Sequence, residues 1–183
     1  MIKLVFILFY NIIRWGCHKL IHGKRFQVHP IQRISMMCSL KIFDRATLKI
    51  GRNSEFAHGC CLEAHGKGVL AIGDHVYMNR YCMVSCQEAV SIGSGCIFGP
   101  GVKIFDNNHR FSSQQGVSQE LNTAPIHIGK NCWIASDVII LKGVTIGDNC
   151  LIGAGCLISQ DVPSGTMVKQ DQHLSTTTIR NNK

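Results

Sequence analysis

The side chains best suited to chemistry in this 183-residue chain stand in one short stretch, Asp106, Asn107, Asn108 and His109. An imidazole that titrates near neutral pH can take a proton from a hydroxyl as that hydroxyl attacks, a role worth about 10²- to 10⁴-fold in rate. Of the nine histidines, His109 is the one in a polar cluster, whereas His22, His29, His58, His65, His75, His127 and His173 read as surface residues. Ten cysteines form the second set, and cysteine can serve as a disulfide partner, a metal ligand or a small buried residue. No C-x-x-C pair occurs, and the closest spacings (Cys60 and Cys61, Cys82 and Cys86, Cys150 and Cys156) are not those of a zinc site. No metal is expected.

The elements that must position these residues are set by a repeat. Ile128, Ile134, Ile140, Ile146, Ile152 and Ile158 recur at a strict period of six. Four residues after each large position comes a small or β-branched one: Cys132, Val138, Val144, Cys150, Cys156 and Val162. Gly129, Gly147 and Gly153 follow the isoleucine, where the backbone is expected to turn. The same register appears earlier, with interruptions, from Ile50 through Ile72 and Ile92 to Ile104. A short strand and a turn every six residues, with two inward side chains each, suits a parallel β-helix in which every strand stacks on its equivalent one coil on. About five coils are legible. Six cysteines (Cys60, Cys82, Cys96, Cys132, Cys150 and Cys156) occupy the small inward slot, which makes them packing residues; Cys17, Cys38, Cys61 and Cys86 lie outside it.

The hexads stop between Ile104 and Ile126, and an insertion that interrupts a regular coil is extruded. Residues 105–125 are therefore expected to leave the body as a loop carrying His109. The chain divides into an apolar and basic N-terminal arm (1–47), the β-helix (48–168) and a C-terminal tail (169–183).

The stretches IGDHVYMNRYCMVS, GPGVKIFDNNHRF and IHIGKNCWIASDVIILKGVTIGDNCLIGAGCLISQDVPSG, spread over residues 72–165, resemble the hexapeptide-repeat acyltransferases of the galactoside, maltose and surface-polysaccharide O-acetyltransferase type. The resemblance implies an all-β fold, a left-handed parallel β-helix with a short N-terminal helical, basic arm and an extruded loop. It also implies a homotrimer with active sites between adjacent prisms, and acetyl-CoA as the acetyl donor. By the same resemblance His109 matches the catalytic base, and Asn79 and Tyr77 match acceptor-site residues. Trp133, Ser136, Ala154, Ser159 and Gln160 stand where the family contacts coenzyme A. Two departures are visible: Gln87 replaces an acceptor-binding aspartate of the galactoside enzymes, and Gln160 replaces a lysine. The implied function is transfer of acetyl to a sugar hydroxyl in bacterial surface polysaccharide biosynthesis, on a sugar or lipid-linked saccharide; a free sugar or a xenobiotic is the alternative acceptor. The remoter readings are a γ-carbonic-anhydrase-like enzyme, whose second histidine would fall at Gln114, and a non-catalytic β-helix.

The formal charge of +8 is uneven. Residues 1–52 carry ten bases against the single acid Asp44, so the rest of the chain is close to neutral and nucleic acid is a poor partner. The apolar run Leu4 to Tyr10, extended by Ile12 and Ile13, is short of the ~20 residues needed to cross a bilayer. On helical spacing Lys3, Asn11, Arg14 and His18 share one face. Residues 1–25 could thus lie on an anionic membrane, or the helix could cap the end of the core with its bases solvated. The expected location is the cytoplasm, with peripheral contact at the inner face of the membrane under the first of these readings; buried thiols suit a reducing compartment.

Overall fold

The computed structural model describes residues 2–171, with side chains from residue 5 onward. One α-helix, Ile2–His22, precedes a left-handed parallel β-helix of triangular section. Its first face stacks Phe26–Val28, Thr47–Ile50, Val69–Ile72, Ala89–Ile92, Ile126–Ile128 and Thr145–Ile146. The second begins with Arg33–Ile34, Glu55–Phe56, Tyr77–Met78 and Ile97–Phe98, then continues through Trp133–Ile134 and Leu151–Ile152 to Met167–Val168. The third stacks Ser39–Ile42, Cys61–Ala64, Met83–Cys86, Lys103–Phe105, Ile139–Leu141 and Leu157–Ile158. All three ladders are parallel and in register, so Ile34, Phe56, Met78, Phe98, Ile134 and Ile152 form one column inside the prism. That column is fully buried, as a period of six with a fixed inward slot requires.

The prism starts earlier than the hexads suggest. The first coil opens at Phe26, inside the segment expected to be an arm, and the first and third faces hold six strands rather than five. The small slot explains why this coil is hard to read. It holds Gln32 in the first coil and Ser54 in the second, both fully buried. Gln32 donates to the carbonyl of Gly51 and accepts from the Ser54 amide at 2.8 Å. The Ser54 hydroxyl in turn donates to Gly73 O at 3.2 Å, so two polar residues, each satisfied by backbone groups, have replaced two apolar ones and the hydrophobic pattern fades without a loss of packing.

The glycines that follow the large residue have a different cause from the expected turn. Their φ values are ordinary; a Cβ on Gly93 would lie 2.5 Å from the carbonyl oxygen of Gly129 in the next coil. They permit close approach of successive coils. The turns themselves use left-handed residues two positions on, among them Asn53, His75, Asn131, Asp137 and Asn149. Asn and Asp tolerate that conformation well; Tyr81, at φ 61°, is the bulky exception.

With the first coil in place the small slot gains a cysteine: Cys38, four residues after Ile34, continues the column of Cys60 and Cys82. Cys86 is buried outside that slot, and only Cys17 is exposed, with Cys61 half-buried. Burial pushes the thiols of Cys86 and Cys96 up to about 12, with the Asp106 carboxylate adding to the effect at Cys86.

The open end of the ladder decides what the N-terminal helix does. Bonds between parallel coils run both ways, as in Arg33 N to Ser54 O (3.0 Å), Ser39 N to Cys60 O (2.8 Å) and, in return, Asn53 N to Ile31 O (3.3 Å). The first coil, at the end of the stack, therefore presents backbone groups that no coil covers, carbonyls among them. The N-terminal segment supplies donors to them: Asn11 Nδ2 to Ile34 O (2.9 Å), Arg14 Nη2 to Cys38 O (2.6 Å), Lys19 Nζ to Phe26 O (3.2 Å) and Arg25 Nη1 to Asp44 O. Trp15 is buried beside Phe26, their rings 5.7 Å apart. The helix thus caps the prism, and it does so with its polar face.

Candidate active site

His109 lies on an antiparallel hairpin, Asn107–Ser112 paired with Gly116–Thr123, which leaves the prism between the third and first faces. The interruption expected as a loop is therefore an ordered two-stranded ribbon. Its register shifts between His109, opposite Leu121, and Phe111, opposite Val117, so that residues 118–120 face the single Arg110. Such a bulge re-aims side chains. It brings the Ser118 carbonyl 3.0 Å from His109 Nδ1. A carbonyl only accepts, so Nδ1 is the donor, and in the neutral ring Nε2 is the nitrogen with the lone pair. The imidazole is exposed, within reach of a second molecule. Arg110 braces the two strands, donating to Glu120 Oε2 (2.7 Å) and Asn122 Oδ1 (3.2 Å).

The base of the ribbon is anchored by Asp106, which is fully buried. Its carboxylate accepts from three successive backbone amides of the corner one coil below, Gln87 (2.8 Å), Glu88 (2.8 Å) and Ala89 (3.0 Å), and from Asn107 Nδ2 (2.9 Å). Asn107 Nδ2 also reaches Ser85 Oγ at 3.2 Å. Three aligned N–H groups form an anion-binding concavity, and here the chain's own carboxylate fills it. Gln87, opposite in sequence terms to an acceptor-binding acid, contributes its backbone to this anchor. Sequence reading placed Asp106 and Asn107 in the polar cluster without separating their roles. Asp106 and Asn107 hold the ribbon on the prism, and His109 projects from it.

The remaining predicted residues fall into two groups. Tyr77, half-buried, and Trp133, 54% exposed, point outward from the second face in one column, separated by Ile97. Asn79, Ser136 and Ala154 lie on the corner between the second and third faces. Asn79 Oδ1 accepts from the Arg80 amide at 2.8 Å, which fixes its orientation there. Ser159 and Gln160 lie on the corner between the third and first faces, the same corner that carries the His109 ribbon. They line a shallow hollow of about 240 Å³ with Leu157, Asp161 and Val168. One prism therefore presents His109, Ser159 and Gln160 on one corner and Tyr77, Asn79, Trp133, Ser136 and Ala154 on the opposite face and its adjoining corner.

Sequence reading did not identify the Ser118 carbonyl. Its contribution is a backbone group delivered by a bulge, and the signal for it was limited to the turn-forming run SSQQG ahead of the return strand.

Comparison with known proteins agrees with the repeat. Residues 125–160 match the bacterial transferase hexapeptide family (six repeats). The chain is 37% identical over 92 residues to the galactoside O-acetyltransferase of Escherichia coli K12, covering 50% of this chain and 45% of that one. It is 28% identical over 131 residues to WbbJ of the same organism, a candidate lipopolysaccharide biosynthesis O-acetyl transferase, covering 67% of each. It spans about half the length of the first of these relatives. Among solved structures it is similar in fold to AntD, an N-acyltransferase of Bacillus cereus crystallised with dTDP-4-amino-4,6-dideoxyglucose and coenzyme A. The TM-score is 0.68 at 17% identity, over 84% of this chain and 82% of that one. The chain is thus a left-handed β-helix built on a six-residue repeat, similar over half of its length or more to O-acetyltransferases.

Proposed function

We propose that this protein is an O-acetyltransferase that moves acetyl from acetyl-CoA to a sugar hydroxyl, on a saccharide destined for a bacterial surface polysaccharide. The observation that carries the reading is the 3.0 Å contact of His109 Nδ1 with Ser118 O, which leaves Nε2 as the nitrogen free to take a proton, on a braced ribbon. In the reaction the acceptor hydroxyl gives its proton to Nε2 as its oxygen bonds to the thioester carbon. The tetrahedral oxyanion collapses, the C–S bond breaks, and the leaving CoA thiolate takes the proton back from His109. No acyl-enzyme is required, and the buried thiols, with Cys86 and Cys96 held far from ionisation, are unsuited to forming one.

The split of the site residues between opposite parts of the prism supports a composite site. A second copy could bring its Tyr77, Asn79 and Trp133 face to the His109 corner of the first. The outward side chains favour that packing: the second face offers Tyr77, Ile97, Trp133, Leu151 and Met167, whereas the first offers Ser91, His127 and Thr145. A homotrimer of parallel prisms closes such a contact by symmetry. Coenzyme A would then run between prisms, along Trp133, Ser136 and Ala154 of one and Ser159 and Gln160 of the next.

The similarity to WbbJ supports a surface-polysaccharide acceptor over a free sugar. The test is CoA release from acetyl-CoA with free sugars, nucleotide sugars and lipid-linked oligosaccharides as separate acceptors. Turnover with a saccharide that disappears in His109→Ala, with the oligomer unchanged by sedimentation, is the expected result. Full turnover in that variant would overturn the assignment of the base.

A further inference from the structure

The N-terminal helix is amphipathic in the inverse sense of a core-capping helix. Its polar residues Asn11, Arg14, His18 and Lys19 face or flank the prism, where three of them bond first-coil carbonyls. Its outward face is apolar throughout: Phe6, Phe9, Ile13 and Leu20 are exposed, Leu20 by 88%, and Val5, Ile12 and Ile21 widen the strip. Among the side chains described, no charged one lies between Phe6 and Leu20 on this strip. Large apolar side chains in contiguous array on a water-facing surface mark an interaction site. Met36 and Met37 of the first coil, both exposed, extend the strip past the end of the helix across a groove shared with Phe6.

From this geometry we propose that the outer face of the helix docks on an anionic phospholipid bilayer, lying in the headgroup layer with the prism standing on its N-terminal end. The polar face of an in-plane helix ordinarily meets water; here it meets the carbonyls that the first coil leaves open, so the helix binds prism and lipid with opposite faces. It does not span: no helix among the described residues is long and apolar enough to cross a membrane, and Asn11 and Arg14 are held by the prism. Charge selects the lipid. Of the bases in the first 52 residues, Arg33, Lys41 and Arg52 are ion-paired, with Glu55, Glu63 and Asp74. Lys19, Lys24, Arg25, Arg45 and Lys49 have no acidic partner among the described residues, and all lie in the helix, in the short turn Gly23–Arg25 that follows it, or in the first two coils. Each basic residue near an anionic surface adds attraction, which falls with salt.

The proposal deepens the proposed function, because it supplies a reason for the acceptor to be membrane-anchored. The groove beside Phe6 runs up the corner of the prism past Met36, Met37 and His58 to Arg80 and Tyr81, next to Asn79. Successive coils are spaced by about 4.8 Å, so the acceptor-site candidates stand roughly 10 Å above the first coil, a height that a headgroup-linked sugar can reach.

Flotation of the full chain with phosphatidylcholine vesicles, with and without phosphatidylglycerol, tests the docking. The wild type should float with the anionic vesicles, and less so at high salt. Phe9→Glu/Ile13→Glu/Leu20→Glu should cut the floated fraction by about tenfold or more, since these side chains are the ones placed among acyl chains. Lys24→Glu/Arg45→Glu should reduce it without touching the apolar strip. Circular dichroism and sedimentation establish that both variants stay folded. Absence of wild-type flotation, or equal flotation of the triple variant, would overturn the proposal. So would a loss of sedimenting mass in the triple variant without wild-type flotation, which would assign the face to a second copy. The catalytic reading fails separately: His109→Ala should still float, and the triple variant should still acetylate a soluble saccharide.

Discussion

Asn11 Nδ2 donates to the carbonyl oxygen of Ile34 at 2.9 Å, joining the middle of the N-terminal helix to the first coil of the prism. Asn11 is fully buried, and the bond closes a carbonyl that no neighbouring strand can reach. Asn11→Ala should lower stability by about 1–3 kcal/mol, the cost of leaving that acceptor unpaired in a dry site. Chemical denaturation measures the loss, and limited proteolysis should show earlier release of residues 2–22.

The same interface is sensitive to pH. Burial, then the nearby Arg14 and His22, hold His18 below the ordinary imidazole range, and burial and Arg25 do the same for His22. A depressed histidine binds fewer protons folded than unfolded, so stability rises with pH through this window. The contribution is complete above about 6.5, the unfolded value, and is lost as pH falls toward the folded value. Thermal unfolding between pH 8 and 5 should show the decline, and His18→Gln should flatten it. An unchanged slope in that variant would place the titration elsewhere.

At the ribbon, His109 and Asp106 should separate by readout. His109→Ala removes the base, lowering turnover by about 10²- to 10⁴-fold with little effect on stability, because the imidazole is exposed.

Asp106→Ala removes a buried carboxylate from three backbone amides and should cost about 3 kcal/mol in stability. Faster hydrogen exchange at Gln87, Glu88 and Ala89 would locate the damage at the corner beneath the ribbon. Activity should fall as well, since the ribbon that carries His109 loses its anchor.

The thiols make a fourth case. Cys17 is exposed and Cys61 half-buried, whereas the other eight are packed within the prism. A thiol reagent should label Cys17 quickly and Cys61 slowly, the latter held back by burial and by Glu63. Reaction of the remaining eight should await unfolding.

Much of this molecule is legible in the chain because one constraint repeats. Every sixth residue must fill the same inward slot, so the isoleucines from Ile128 to Ile158 announce the prism, and their interruption after Ile104 announces the excursion that carries His109. The first coil is concealed by Gln32 and Ser54, whose side chains find their backbone partners, Ser54 N and Gly73 O, only when coils stack. Likewise the glycine in each repeat is visible in sequence, but the neighbouring backbone it makes room for is one coil away.

What the chain determined by itself was periodicity, and with it the fold, the extruded element and the single histidine on it; these follow from local rules about which side chains point inward. The tertiary structure decided the rest, because it depends on partners distant in sequence. The Ser118 carbonyl settles which imidazole nitrogen is free. The open carbonyls of the first coil, at Phe26, Ile34 and Cys38, settle which way the N-terminal helix turns. They draw its polar face inward, and the apolar face is left toward the surroundings.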